Sequence, residues 1–313
     1  MPNSWSGPLA DPSADAGYAA DHPPRVGFFT DTSVCIGCKA CEVACKEWNA
    51  LPADGAGTER PGDDVLSLTG MSYDNTGGLG GSTYRHVAFV EQRVPARQSP
   101  QVDLGMPAMD LPGAVESGVD RADATEVRWL MSSDVCKHCT HAACLDVCPT
   151  GALIRTEHGT VLVQQDICNG CGYCIPACPY GVIDQRQGDG RAFKCTMCHD
   201  RLGEGLMPAC ATACPTESIQ FGPLDELRER ANARLDELHG SGVGEARLYG
   251  HDDNDGVGGD GAFFLLLDEP EVYGLPPDPV VTTRDLPSMW RHAAAAALTA
   301  GAAVAVAFLG ARR

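Results

Sequence analysis

Sixteen cysteines in four groups of four are the residues of this 313-residue chain whose type and spacing can do chemistry. The groups are Cys35/Cys38/Cys41/Cys45, Cys136/Cys139/Cys144/Cys148, Cys168/Cys171/Cys174/Cys178 and Cys195/Cys198/Cys210/Cys214, and no cysteine is left over. Each group opens with C-x2-C and closes with C-x3-C. Sixteen thiolates in four quartets meet the ligand requirement of four [4Fe-4S] clusters, and the chemistry they imply is electron transfer.

The third group, followed by Pro179, reads as the run C-x2-C-x2-C-x3-C-P of bacterial ferredoxins. Three cysteines at i, i+3 and i+6 let a short loop wrap a cubane with its backbone N–H groups turned toward the sulfides. The fourth leads into a helix and reaches the neighbouring cluster when two runs are interleaved. Pro149, Pro179 and Pro215 follow the last cysteine of groups two to four, where a fixed φ suits a first helical turn, and Lys46 takes that place in group one. A structural zinc site has no use for a C-x2-C-x2-C triplet. Disulfide frameworks belong to shorter secreted scaffolds.

A net charge of −19 and a pI near 4.7 oppose binding to a phosphate backbone, so no nucleic-acid partner is expected. Of the 23 basic residues only Lys39, Lys46, Lys137 and Lys194 are lysines, and each is bonded in sequence to a cluster cysteine. An ammonium is a compact charge suited to lie beside an anionic cluster and raise its potential. His138, His141 and His199 also lie near cysteines; with every cluster furnished with four thiolates they read as loop or interface residues. Tyr173 and Tyr180 read as packing against clusters, and Trp48 and Trp129 as shielding them from water. No catalytic constellation is visible.

The elements that must position the cysteines are short. Residues 1 to 25 have the Pro-, Ser- and Asp-rich composition of a tail, without a basic start or an apolar h-region. An insertion, 46–135, separates groups one and two and contains a Gly-rich stretch, Thr76 to Ser82. Strands are expected at Tyr84–Val94, Glu126–Met131, Thr160–Val163, Ile219–Phe221 and Ala262–Leu267. Residues 223 to 239 carry Leu224, Leu227, Ala231, Leu235 and Leu238 on one stripe before Gly240, which predicts a helix packed on the cluster domain. His251–Gly261 reads as an acidic loop. From Ala293 to Ala311 nineteen residues are uncharged, flanked by Arg291 and by Arg312 and Arg313, the length of a single membrane span.

Asp31 to Asn49 with its C-K-E-W-N ending, Trp129 to Cys139, Cys168 to Pro179, Lys194 to Arg201 and Val272 to Pro279 closely resemble the iron-sulfur (beta) subunit of respiratory formate dehydrogenases. More broadly they resemble the four-cluster subunits of the molybdopterin oxidoreductase superfamily. The resemblance implies an electron-transfer subunit that takes electrons from a molybdenum- or tungsten-pterin catalytic subunit and passes them to a membrane cytochrome b that reduces quinone. It also implies a single-pass anchor, with the cluster domain on the outer, periplasmic-type face. Another molybdopterin oxidoreductase, a hydrogenase, or a soluble polyferredoxin or redox sensor is the alternative.

The expected fold class is α+β, with two ferredoxin-like dicluster modules related by a pseudo-twofold. The first module takes 31–135 and 186–222 and the second 136–185; 1–30 is a tail, 223–290 a helix-and-strand extension, and 291–313 the transmembrane anchor. Carried over from the family, the quartets are Cys35, Cys38, Cys41 with Cys214; Cys45 with Cys195, Cys198, Cys210; Cys136, Cys139, Cys144 with Cys178; and Cys148 with Cys168, Cys171, Cys174.

Overall fold

A computed structural model of the chain describes residues 11–52, 77–95, 125–186, 188–281 and 283–310. Residues 1–10 of the expected tail, 53–76 and 96–124 of the expected insertion, and the Arg312–Arg313 flank lie outside the described residues. In chain order the helices are α1 (Pro12–Asp15), α2 (Ala40–Trp48), α3 (Ala143–Asp146), α4 (Cys174–Ala177), α5 (His199–Gly203), α6 (Ala209–Thr212), α7 (Leu224–Gly240) and α8 (Leu286–Gly310). The strands are β1 (Val26–Asp31), β2 (Arg85–Pro95), β3 (Thr125–Val135), β4 (Leu153–Arg155), β5 (Val161–Val163), β6 (Asp184–Gln185), β7 (Ala192–Phe193), β8 (Ile219–Pro223), β9 (Arg247–Tyr249) and β10 (Ala262–Leu266).

The central sheet has the order β8-β1-β10-β9, with β1 parallel to β10 and the two outer pairs antiparallel. Successive side chains of a strand point to opposite faces. On β1, Phe28 faces a core that contains Cys41, Cys45, Cys136, Cys195 and Cys210. Its neighbour Phe29 packs with Phe263 and Leu265 against Leu224, Leu227, Ala231 and Leu238 of α7. The sheet therefore separates the thiols from the helix predicted at 223–239, which begins one residue later, after Pro223.

β1 corrects the expectation that 1–30 is a tail. Val26, Gly27, Phe28 and Phe29 are apolar enough to be a sheet strand, and hydrogen bonds on both edges hold them. Upstream, α1 is capped by Asp11, whose carboxylate accepts from the N–H groups of Ser13 and Ala14. The Ser13 hydroxyl is buried and donates to Thr156 O.

β2 and β3 form a hairpin paired from Arg85↔Val135 to Pro95↔Thr125. The second expected strand runs on through the polar Ser132, Ser133 and Asp134 because β2 pairs with it over its whole length. Two smaller hairpins, β4-β5 and β6-β7, frame the second and third cysteine groups. The expected loop at 251–261 holds no helix or strand but braces the second cysteine loop, with Gly259 O and Val257 O accepting from Thr140 N and His141 N. Within α8, Ser288–Gly310 is long and apolar enough to cross a membrane, and none of its apolar stretch is buried in the fold.

Candidate iron-sulfur sites

The four C-x2-C loops share one backbone device. The residue immediately before the second cysteine has positive φ in every case: Gly37 (65°), His138 (47°), Gly170 (74°) and Met197 (56°). A left-handed residue in a tight loop turns successive N–H groups inward, which makes the anion-binding concavity found at many iron-sulfur sites. Two of the four positions are glycine, where the conformation is unstrained. His138 and Met197 adopt it at a steric cost that the surrounding loop must overcome. In the fourth loop Met197 N donates to Cys195 Sγ at 3.2 Å, and from outside the third loop Ala192 N of β7 donates to Cys168 Sγ at 3.5 Å.

All sixteen cysteines are free of disulfides. Cys35, Cys38, Cys41 and Cys214 line one cavity. Cys136, Cys139, Cys144 and Cys178 line another. The thiol of Cys45 is pushed up by burial and by the proximity of Cys195, Cys210 and Cys198. That of Cys174 is pushed up to about 11 by burial and by Cys168, Cys148 and Cys171. Two of the foursomes drawn from the family thus each line a single cavity.

Long-range pairing has a visible cause. β1 leads directly into the turn that carries Cys35, and β8 begins just after Cys214. Their antiparallel register, Thr30↔Ile219, sets the two cysteine segments side by side. Ser218 fastens the junction: its carbonyl accepts from Asp31 N at 2.8 Å and its hydroxyl donates to Asp31 O at 2.7 Å. α2, which carries Cys41 and Cys45, packs on α6, which carries Cys210.

Burial raises the thiols of Cys144 and Cys195 to about 12, a cost of ionisation that a bound metal relieves by taking the proton's place. The residues fit a cubane: four sulfurs about one enclosed space, inward N–H groups, and cations behind. Among the described residues no three His, Cys, Asp or Glu side chains converge on a single-ion position.

Residues 127–224 match the family described as a 4Fe-4S dicluster domain. The formate dehydrogenase iron-sulfur subunit of Haemophilus influenzae is 36% identical over 270 residues, 85% of this chain and 73% of that protein. The chain belongs to the formate dehydrogenase iron-sulfur subunit family. The nitrate-inducible formate dehydrogenase iron-sulfur subunit of Escherichia coli is 35% identical over 277 residues, 87% of this chain and 79% of that protein. One component of the anaerobic dimethyl sulfoxide reductase of Escherichia coli is 31% identical over a shorter span, 206 residues, 66% of this chain and 77% of that protein. As an iron-sulfur subunit of this family the chain is an electron-transfer protein.

Of the lysines beside the cysteines, two are buried within this iron-sulfur subunit. Lys194 Nζ donates to Cys195 O at 2.9 Å and to Val161 O, and stands 3.5 Å from Cys136 Sγ. Burial works against its charge, and the thiolates of Cys136, Cys144 and Cys195 outweigh burial, so its pKa is raised. Lys137 is held by Asp134 and Val135 O, with the rings of Phe264 and Tyr180 at 4.8 and 5.2 Å. Lys39 pairs with buried Glu42 at 3.5 Å, and Lys46 is half-buried on α2.

His138 lies in the loop between Cys136 and Cys139 and is buried. Its Nδ1 accepts from Val161 N at 3.1 Å, and burial, with Lys194 and Arg155 nearby, holds its pKa well below the ordinary imidazole value. His141 and His199 are half-buried. Tyr180 lines the second cavity and donates to Asp260 at 2.7 Å. Tyr173 does not pack against a cluster site: it is 62% exposed. Trp48 and Trp129 also lie at the surface instead of covering thiols, and Trp48 donates to Asp200 at 2.8 Å beneath the Arg201 guanidinium. Sequence reading missed Arg85 and Ser133 altogether: both are buried beside Cys41, and both come from the hairpin that interrupts the cysteine pattern.

Proposed function

We propose that the chain carries electrons from a molybdenum- or tungsten-pterin formate dehydrogenase catalytic subunit to a membrane cytochrome b, using four [4Fe-4S] clusters. In this reading the ligand sets are Cys35, Cys38, Cys41, Cys214; Cys45, Cys195, Cys198, Cys210; Cys136, Cys139, Cys144, Cys178; and Cys148, Cys168, Cys171, Cys174. When bound, the clusters supply the one-electron redox chemistry. The observation that carries the reading is the pair of cavities, each lined by the four cysteines of one set although long stretches of sequence separate them.

Proximities among the cysteines favour these sites lying in a row. Cys41 of the first set feels Cys210 of the second, Cys195 of the second feels Cys136 of the third, and the third and fourth share an apolar core with Cys144, Cys148, Cys168 and Cys178. Cys38 in the first set and Cys171 in the fourth are the two exposed cysteines, which suits partner contact at both ends. Lys194 and Lys137 place positive charge beside the third set, and Lys39 and Lys46 beside the first and second. Two interleaved modules, 31–135 with 186–222 and 136–185, related by a pseudo-twofold, account for the row. A relation to formate rather than to dimethyl sulfoxide reduction is favoured because the formate relatives align over a larger share of the chain.

α8 serves as the membrane anchor in this reading, with a cluster domain on the outer face. Arg312 and Arg313 favour a cytoplasmic side for that flank, a bias that Arg284 and Arg291 on the other flank make weak. The test is the chain purified anaerobically with whatever accompanies it. About sixteen iron and sixteen sulfide per chain, a pterin-containing partner and no formate turnover by the isolated chain are expected. Iron near eight, bound zinc, or formate oxidation by the pure chain overturns the proposal.

A further inference from the structure

Arg85 is among the largest fully buried side chains of the described residues, 1% exposed, and it opens β2 at the edge of the cysteine core. Its Nη1 donates to Ser133 O at 3.2 Å and to Ser133 Oγ at 3.0 Å, and its guanidinium lies 4.8 Å from the centre of the Phe28 ring. Nε and Nη2 are buried without a hydrogen-bond partner. A desolvated cation with open donors is expensive unless an anion meets it. The negative groups that Arg85 feels most are no carboxylates but the sulfurs of Cys210, Cys41, Cys195 and Cys45. Cys41 belongs to the first proposed set and the other three to the second. The same Ser133 hydroxyl that holds Arg85 lies 3.2 Å from Cys41 Sγ, so guanidinium and thiol share one anchor.

Position and open donors together point to a charge with two clients. We propose that Arg85 is a shared counter-cation for the two clusters of the first module, its open N–H groups meeting their sulfur, and that it raises the reduction potentials of both. The inference rests on the ligand sets proposed above. A fixed cation stabilises the more negative, reduced state of a cluster, and a low-dielectric surrounding enlarges the effect. Arg suits the position better than Lys because its planar fork can engage Ser133 on one side and still present donors on another. No sequence pattern pointed to Arg85, since it lies far from every cysteine in the sequence.

The test is an EPR-monitored redox titration of the full chain with its clusters in place. Arg85→Gln and Arg85→Met remove the charge; Arg85→Lys keeps it. The neutral variants are expected to make the two first-module clusters at least tenfold harder to reduce in the one-electron equilibrium, about 59 mV lower. The clusters of Cys136/Cys139/Cys144/Cys178 and Cys148/Cys168/Cys171/Cys174 should keep their potentials, and Arg85→Lys should restore most of the loss. If the neutral variants lose first-module iron while Arg85→Lys retains it, the requirement for charge is equally supported. The proposal is overturned if the neutral variants hold four clusters at unchanged potentials, if all four shift alike, or if Arg85→Lys fails as they do, which would make the residue a packing element. An unmodified protein without first-module cubanes would instead sink the ligand sets, a result that cluster quantification separates from the others.

Discussion

Lys194 Nζ stands 3.5 Å from Cys136 Sγ while donating to Cys195 O, and so joins a cysteine of the second proposed set to one of the third. The link crosses from one proposed module to the other through a single buried side chain. Lys194→Met is expected to leave Val161 O and Cys195 O without this donor, at about 1–3 kcal/mol for each buried group left unsatisfied. The loaded protein should unfold at lower denaturant, and the clusters flanking Lys194 should become harder to reduce. An unchanged unfolding midpoint together with unchanged potentials would show the contact to be incidental.

Cys214 lies at the far end of the cysteine pattern from Cys35, yet both line one cavity. Cys214→Ser should therefore disturb the cluster held by Cys35, Cys38 and Cys41 and spare that of Cys195, Cys198 and Cys210. EPR of the reduced variant, set beside Cys38→Ser and Cys198→Ser, distinguishes them; a lesion matching Cys198→Ser would reverse the pairing.

Gly37 has φ 65°, and a Cβ there would lie 2.6 Å from Met131 Sδ and from Phe89 Cε1. Gly37→Ala combines a disfavoured backbone with a clash, so a loss greater than about 1 kcal/mol is expected. Its local signature is iron missing from the first site alone. Gly151→Ala is the control, because its φ is also positive, 68°, while nothing lies within 4 Å of the added carbon. Equal iron loss in the two variants would mean that the clash is irrelevant.

Exposure orders the sites for iron removal. Cys38 and Cys171 are exposed, whereas Cys45, Cys195, Cys198 and Cys210 are all buried. A water-soluble chelator should strip the first and fourth sites before the second, giving iron release in more than one phase. Release of all iron in a single phase would argue that the sites come apart only with global unfolding.

The apolar helix offers a separable test, since no cysteine lies beyond Cys214. A protein ending at Ser288 should assemble its clusters and lose the membrane. Fractionation with cluster EPR and formate-to-quinone activity on each fraction checks this; a truncated form that stays in the membrane with undiminished quinone reduction would make α8 a packing element.

The cysteine loops were legible from sequence because their geometry is local. Spacing of three residues confines a loop so tightly that one left-handed residue recurs before the second cysteine of every group, whether glycine, as at Gly37 and Gly170, or not, as at His138 and Met197. The helix of residues 224–240 and the apolar C-terminal helix were equally plain, since periodicity and length are properties of a continuous stretch. What sequence spacing could not decide was which distant segments meet. The Thr30↔Ile219 register brings Cys214 to Cys35, and the full-length β2-β3 pairing inserts Arg85 and Ser133 among thiols with which they share no motif. Backbone pairing across a sheet depends on partners remote in the sequence, and a buried cation is stable only beside the charge the fold brings to it. The cysteines by themselves therefore determined the chemistry, and tertiary structure alone decided the neighbours that tune it.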